Sequence, residues 1–82
     1  MPYNKPVQQR LATLQQFRDF RDSAIYRDIE AEIYLWLEDI AGQLETVTNY
    51  DELMRLQGSA RACRNFLNLI NIIITQLETE QE

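Results

Sequence analysis

The 82-residue chain is 45% hydrophobic and 26% charged, the mixture of a small folded domain rather than a disordered or fibrous segment. Thirteen acids against eight bases leave a net charge of -5, which speaks against a general nucleic-acid binder with its basic face. No run of residues reaches the ~18 apolar positions of a membrane span, and two glycines and two prolines provide little material for β-turns.

Residues 1–6 read as an extended arm, because Pro2 and Pro6 each push the preceding residue away from helix. The arm has no apolar stretch of the kind a secretory signal carries, so none is expected. A first, short helix is predicted over about 7–20, where Val7, Leu11, Leu14 and Phe17 recur at helical spacing. Arg18, Arg21 and Asp22 then interrupt that stripe, and Asp22 or Ser23 can cap a new helix, which places a bend before Ser23. The alternative is one unbroken helix from Val7 to Val47.

The second helix is predicted over about 23–47. Its apolar positions, Ile25, Ile29, Ile33, Trp36, Ile40, Leu44 and Val47, step by 4, 4, 3, 4, 4, 3. That eleven-residue rhythm of ~3.67 residues per turn suits a nearly straight or slightly right-handed pairing. Gly42 costs it about 1 kcal/mol relative to alanine without breaking its phase. A turn follows at Thr48–Tyr50, where Asn49 and Glu52 have the spacing of a capping box.

The third helix, predicted over about 50–78, carries the strongest signal. Leu53, Leu56, Ala60, Cys63, Leu67, Ile70, Ile74 and Leu77 step by alternating threes and fours, the seam of a coiled coil. A short connection turns it back on its neighbour. The expected fold is therefore all-α: an antiparallel, coiled-coil-like helical hairpin with a shorter N-terminal helix. Its core is expected from Ile33, Trp36, Ile40, Leu44, Leu53, Leu56, Ala60, Cys63, Leu67 and Ile74. Register about the turn sets Trp36 opposite Ala60–Cys63, and Gly58 reads as a place of close helix approach.

Beyond Arg64 the third helix is apolar on nearly every side, more than one partner helix can cover. The first helix is expected to cover Phe66, Leu69 and Ile73 with Leu11, Leu14 and Phe17. What it leaves is a candidate interface of Phe66, Leu69, Ile70, Ile72 and Ile73, with Asn68 and Asn71 able to fix register. Asn65 joins those two asparagines in a polar stripe, which reads equally as solvent-exposed. Charge is segregated: residues 1–27 carry net +3, residues 28–52 net -8 and residues 53–82 net 0. Glu38 and Glu45 are expected to form weak surface pairs with Arg55, Arg61 and Arg64, or else an acidic patch for a basic partner. Glu78, Glu80 and Glu82 oppose the helix dipole, so the last turn is expected to fray.

No catalytic constellation is legible. There is no histidine to serve as base or metal ligand, the glycines are isolated, and Cys63 lies on the seam as an inert thiol. No enzyme, cofactor or metal is expected, and one cysteine fits a reducing compartment. A chain this short buries only roughly 60% of its unfolded surface, and with no disulfide or metal the remaining support is association.

At Asp51–Ile70, DELMRLQGSARACRNFLNLI, the chain resembles small uncharacterised proteins of tailed bacteriophages. In these a Leu-Gln-Gly step, here Leu56-Gln57-Gly58, followed by a small and apolar run, opens the C-terminal helix of a hairpin. The resemblance covers roughly the last 50 residues. It implies a structural or packaging accessory protein, in the host cytoplasm or incorporated in a virion, and carries over no functional residue. The expected partners are proteins: a second copy or a larger viral assembly, with no direct nucleic acid and no membrane. The alternative is an inhibitor that presents Glu30, Glu32, Glu38, Asp39 and Glu45 to the basic groove of a host nucleic-acid-binding enzyme.

Overall fold

The computed structural model describes residues 10–80, and the proposed arm at 1–6, Val7 and Glu82 lie outside them. Three helices follow in order: α1 (Leu14–Arg21), α2 (Ala24–Leu44) and α3 (Tyr50–Glu80). There is no strand among the described residues. Each start has a local chemical cause. The Thr13 hydroxyl accepts from the Gln16 N–H at 3.1 Å while the Gln16 side chain accepts from the Thr13 N–H at 2.8 Å. This reciprocal capping box starts α1 at Leu14, so residues 10–13 are not helical as the 7–20 expectation required.

The bend before Ser23 is present, and the unbroken helix over 7–47 is not. Ser23 Oγ accepts from the Tyr26 N–H at 3.1 Å and donates to the Phe20 carbonyl at 2.6 Å, so one hydroxyl closes α1 and opens α2. At the other end α2 stops at Leu44 rather than Val47. The N–H groups of Glu45 and Thr46 turn back to the carbonyls of Gly42 and Gln43, a tightening that exhausts the helix. Asn49 Oδ1 then caps α3 by accepting from the Glu52 N–H at 3.0 Å. The expected reciprocal half is replaced: the Glu52 carboxylate takes Arg55 instead.

Two clusters hold the helices together. Leu14, Tyr26, Ile70 and Ile74 form one with Phe17 and Leu77; Ile40, Leu56, Ala60 and Cys63 form the other with Ile33, Leu37, Leu44 and Val47. The start of α2 thus shares a cluster with the end of α3, and the end of α2 with the start of α3. Every α3 seam position from Leu53 to Leu77 is at least partly covered. On α2 the covered residues are Tyr26, Glu30, Ile33, Leu37, Ile40 and Leu44, stepping 4, 3, 4, 3, 4. This corrects the eleven-residue reading, because α2 keeps the same seven-residue period as α3. Trp36 falls one position off that seam and stands 53% exposed, and Leu37 takes its place in the core. Ile25 and Ile29 are exposed for the same reason.

Gly58 also departs from expectation. A β-carbon there meets nothing within 4 Å, so it marks no close helix approach, and the same is true of Gly42. The layer is thin, with a shortest extent of 18 Å against the ~10–12 Å diameter of one helix. Among the described residues no large side chain is fully enclosed. Each buried Leu or Ile contributes about 1.5–3 kcal/mol, so a core this small holds the fold modestly.

Candidate interaction surface

The seam divides each of the two long helices into two flanks. Residues one position before the α2 seam are Ile25, Ile29, Glu32, Trp36, Asp39 and Gln43; those before the α3 seam include Phe66, Leu69 and Ile73. These flanks lie on a common side, because Ile29 and Ile33 of α2 and Phe66, Leu69, Ile70 and Ile73 of α3 line one groove of about 300 Å³. Phe17, Phe20 and Tyr26 close its upper end, and Glu30 is its sole charged lining residue. Phe66 is 61% and Leu69 48% exposed. These exposed apolar side chains lie adjacent to one another around the groove.

The opposite flanks are polar. There Tyr34, Glu38 and Ala41 of α2 share a depression with Arg64 of α3, and Arg61 and Asn65 lie beside it. Farther along α3, Asn68, Asn71, Ile72, Thr75 and Gln76 line a shallow site of their own. The seven candidate interface residues therefore do not form one patch. Phe66, Leu69 and Ile73 line the groove, Ile70 is buried at its floor with 6% exposure, and Asn68, Asn71 and Ile72 belong to the other side of α3. The asparagines are exposed, and Asn71 accepts a hydrogen bond from Arg21 at 3.0 Å.

α1 does not cover the groove as expected. Leu14 and Phe17 pack against Ile70, Ile74 and Leu77, while Leu11 stands free in solvent and Phe66 and Leu69 remain open. Burial of Leu14 and Phe17 seats α1 there, and exposed polar contacts accompany it. Arg10 donates to Gln76 at 2.9 Å, Arg18 pairs with Glu78 at 2.6 Å, and Arg21 reaches Asn71, all along the far end of α3. Arg18 pairs with Glu78 within α3, which continues to Glu80, and Glu82 of the acidic tail lies outside the described residues.

Electrostatics sharpen the contrast. Among the described residues the ion pairs are Arg18–Glu78, Arg21–Asp22 and Arg55–Glu52, so the expected pairing of Glu38 and Glu45 with Arg55, Arg61 and Arg64 is not made. Arg55 holds the Glu52 carboxyl below its usual range by direct hydrogen bonding. No ion pair among the described residues engages the acids from Asp28 to Glu45: Glu30 lies in the seam, Glu32 and Asp39 on the groove-side flank of α2, and Glu38 on the polar side, followed just past the helix by Glu45. Glu32 accepts from the Trp36 indole N–H at 2.9 Å and Asp39 from the Gln43 amide at 2.9 Å, each one turn along the same flank of α2.

No group of histidine, cysteine or carboxylate side chains among the described residues is arranged to hold a metal ion. Cys63 is a buried free thiol within the second cluster. No described helix is long and apolar enough to cross a membrane. The groove was missed as a unit in the sequence because its α2 wall is legible only once the seam is placed on Leu37 rather than Trp36. Comparison with protein-family models, curated proteins and solved structures gives no match.

Proposed function

We propose that this chain is a non-enzymatic assembly protein that works by helix-on-helix docking. Its α2 and α3 act as an antiparallel, coiled-coil-like hairpin, and the groove face is the surface covered on association with a second copy or another protein. The observation that carries this reading is the row of open apolar side chains, Phe20, Ile29, Phe66 and Leu69, around one groove. The inverted order of the two clusters along α2 and α3 supports the hairpin. The resemblance at Asp51–Ile70 supports a role as a bacteriophage virion or packaging accessory.

The test is capture from the native source with three forms of the chain: wild type, Leu69→Asp in the groove and Ile72→Asp on the opposite side. Recovery of the same protein, or of a second copy, by wild type and Ile72→Asp but not by Leu69→Asp is the expected outcome. Equal recovery by all three overturns the reading.

A further inference from the structure

We infer that the groove takes a single amphipathic helix with a basic flank, supplied by a partner protein. The inference rests on the helix-docking reading and names its partner. Phe66, Leu69 and Ile73 stand at i, i+3 and i+7 along α3, a wall of about 10 Å at 1.5 Å per residue, or two helical turns. The opposite wall offers Ile29 and Ile33 of α2, with Ile25 and Trp36 exposed about a turn to either side. A helix presenting apolar residues at i, i+3 or i+4, and i+7 matches that length and spacing.

Charge selects the partner. Glu30 lines the groove, and Glu32 and, farther on, Asp39 follow on the groove-side flank of α2, none of them in an ion pair among the described residues, while the one base on the α3 flank, Arg55, is already engaged by Glu52. A helix flanked by lysine or arginine on its α2 side neutralises these carboxylates. A second copy does not: in a two-fold interface the same face meets itself, and each chain brings a net charge of -5.

The probe is a synthetic peptide of leucine-and-lysine heptads, with leucine along one face and lysine beside it. It is titrated into the full chain and followed by emission of Trp36, the sole tryptophan. A saturable blue shift is expected, weakened about tenfold by Leu69→Asp and kept within about twofold by Ile72→Asp. The E32Q/D39N pair should weaken binding severalfold and flatten its fall between about 50 and about 500 mM salt. Circular dichroism confirms that each variant is folded. Binding indifferent to Leu69→Asp, or an unchanged salt slope in E32Q/D39N, overturns the inference. Exclusion of the peptide by a dimer in light scattering that Leu69→Asp dissociates overturns it while leaving helix docking standing. No peptide binding and no partner capture overturns both.

Discussion

The rings of Phe20 and Tyr26 meet with centroids 5.2 Å apart and planes inclined at 60°, joining the end of α1 to the first turns of α2. Tyr26 is buried among Leu14, Ile70 and Ile74, so its ring joins all three helices. Tyr26→Ala should cost about 3–5 kcal/mol, the usual penalty for truncating a buried aromatic ring. The loss should appear as a lower urea midpoint, and Leu14→Ala should cost less because it removes a smaller side chain from the same cluster.

The same residue sets an alkaline limit. Desolvation by burial, then the nearby Glu30 and Tyr34, push the Tyr26 phenol above its ordinary value, with Arg21 opposing. Folding therefore favours the neutral phenol. Its contribution is fully present below the unfolded value near pH 10 and is lost as pH rises through the higher folded value. Tyr26→Phe, which has no proton to lose, should show a smaller fall in thermal midpoint above about pH 10 than wild type. Identical profiles would remove Tyr26 as the cause.

Gly42 and Gly58 both sit inside helices with negative φ and open space where a β-carbon would stand. Replacing either with alanine therefore adds helix propensity without a clash. Each substitution should stabilise the fold by about 0.5–1 kcal/mol, and the two should add because they lie on different helices. A destabilised Gly58→Ala would mean that a neighbour comes closer in solution than the structure shows.

The heptad of α3 was legible because its eight apolar positions compete with no other stripe of equal regularity on that helix. α2 offered two stripes. Ile29 and Trp36 are larger than Glu30 and Leu37, and Ile25 is more apolar than Tyr26, yet the second set turns inward. Period decided over size: matching the seven-residue repeat of α3 keeps the seam facing its neighbour over the length of α2. Glu30 in the seam hid that period. The start of α1 was also written in the chain, in the Thr13–Gln16 spacing, but the apolar stripe from Val7 masked it. The placement of α1 was not legible, since Leu14 and Phe17 settle on Ile70, Ile74 and Leu77, and Arg10, Arg18 and Arg21 find Gln76, Glu78 and Asn71, across 50 to 66 residues of chain.

Leu69 and Ile70 separate docking from folding within one peptide unit. Ile70 is buried against Leu14 and Tyr26, whereas Leu69 opens into the groove. An aspartate at position 70 would place a carboxylate among apolar side chains with no partner, a cost of several kcal/mol that is a large share of the total stability of so small a fold. Ile70→Asp should therefore abolish the cooperative unfolding transition. Leu69→Asp leaves its carboxylate in water and should shift the urea midpoint by less than about 1 kcal/mol equivalent, while removing whatever association the groove supports. Equal loss of helicity in the two variants would show that the groove residues belong to the core, and that the open face is needed to hold the fold rather than to meet a partner.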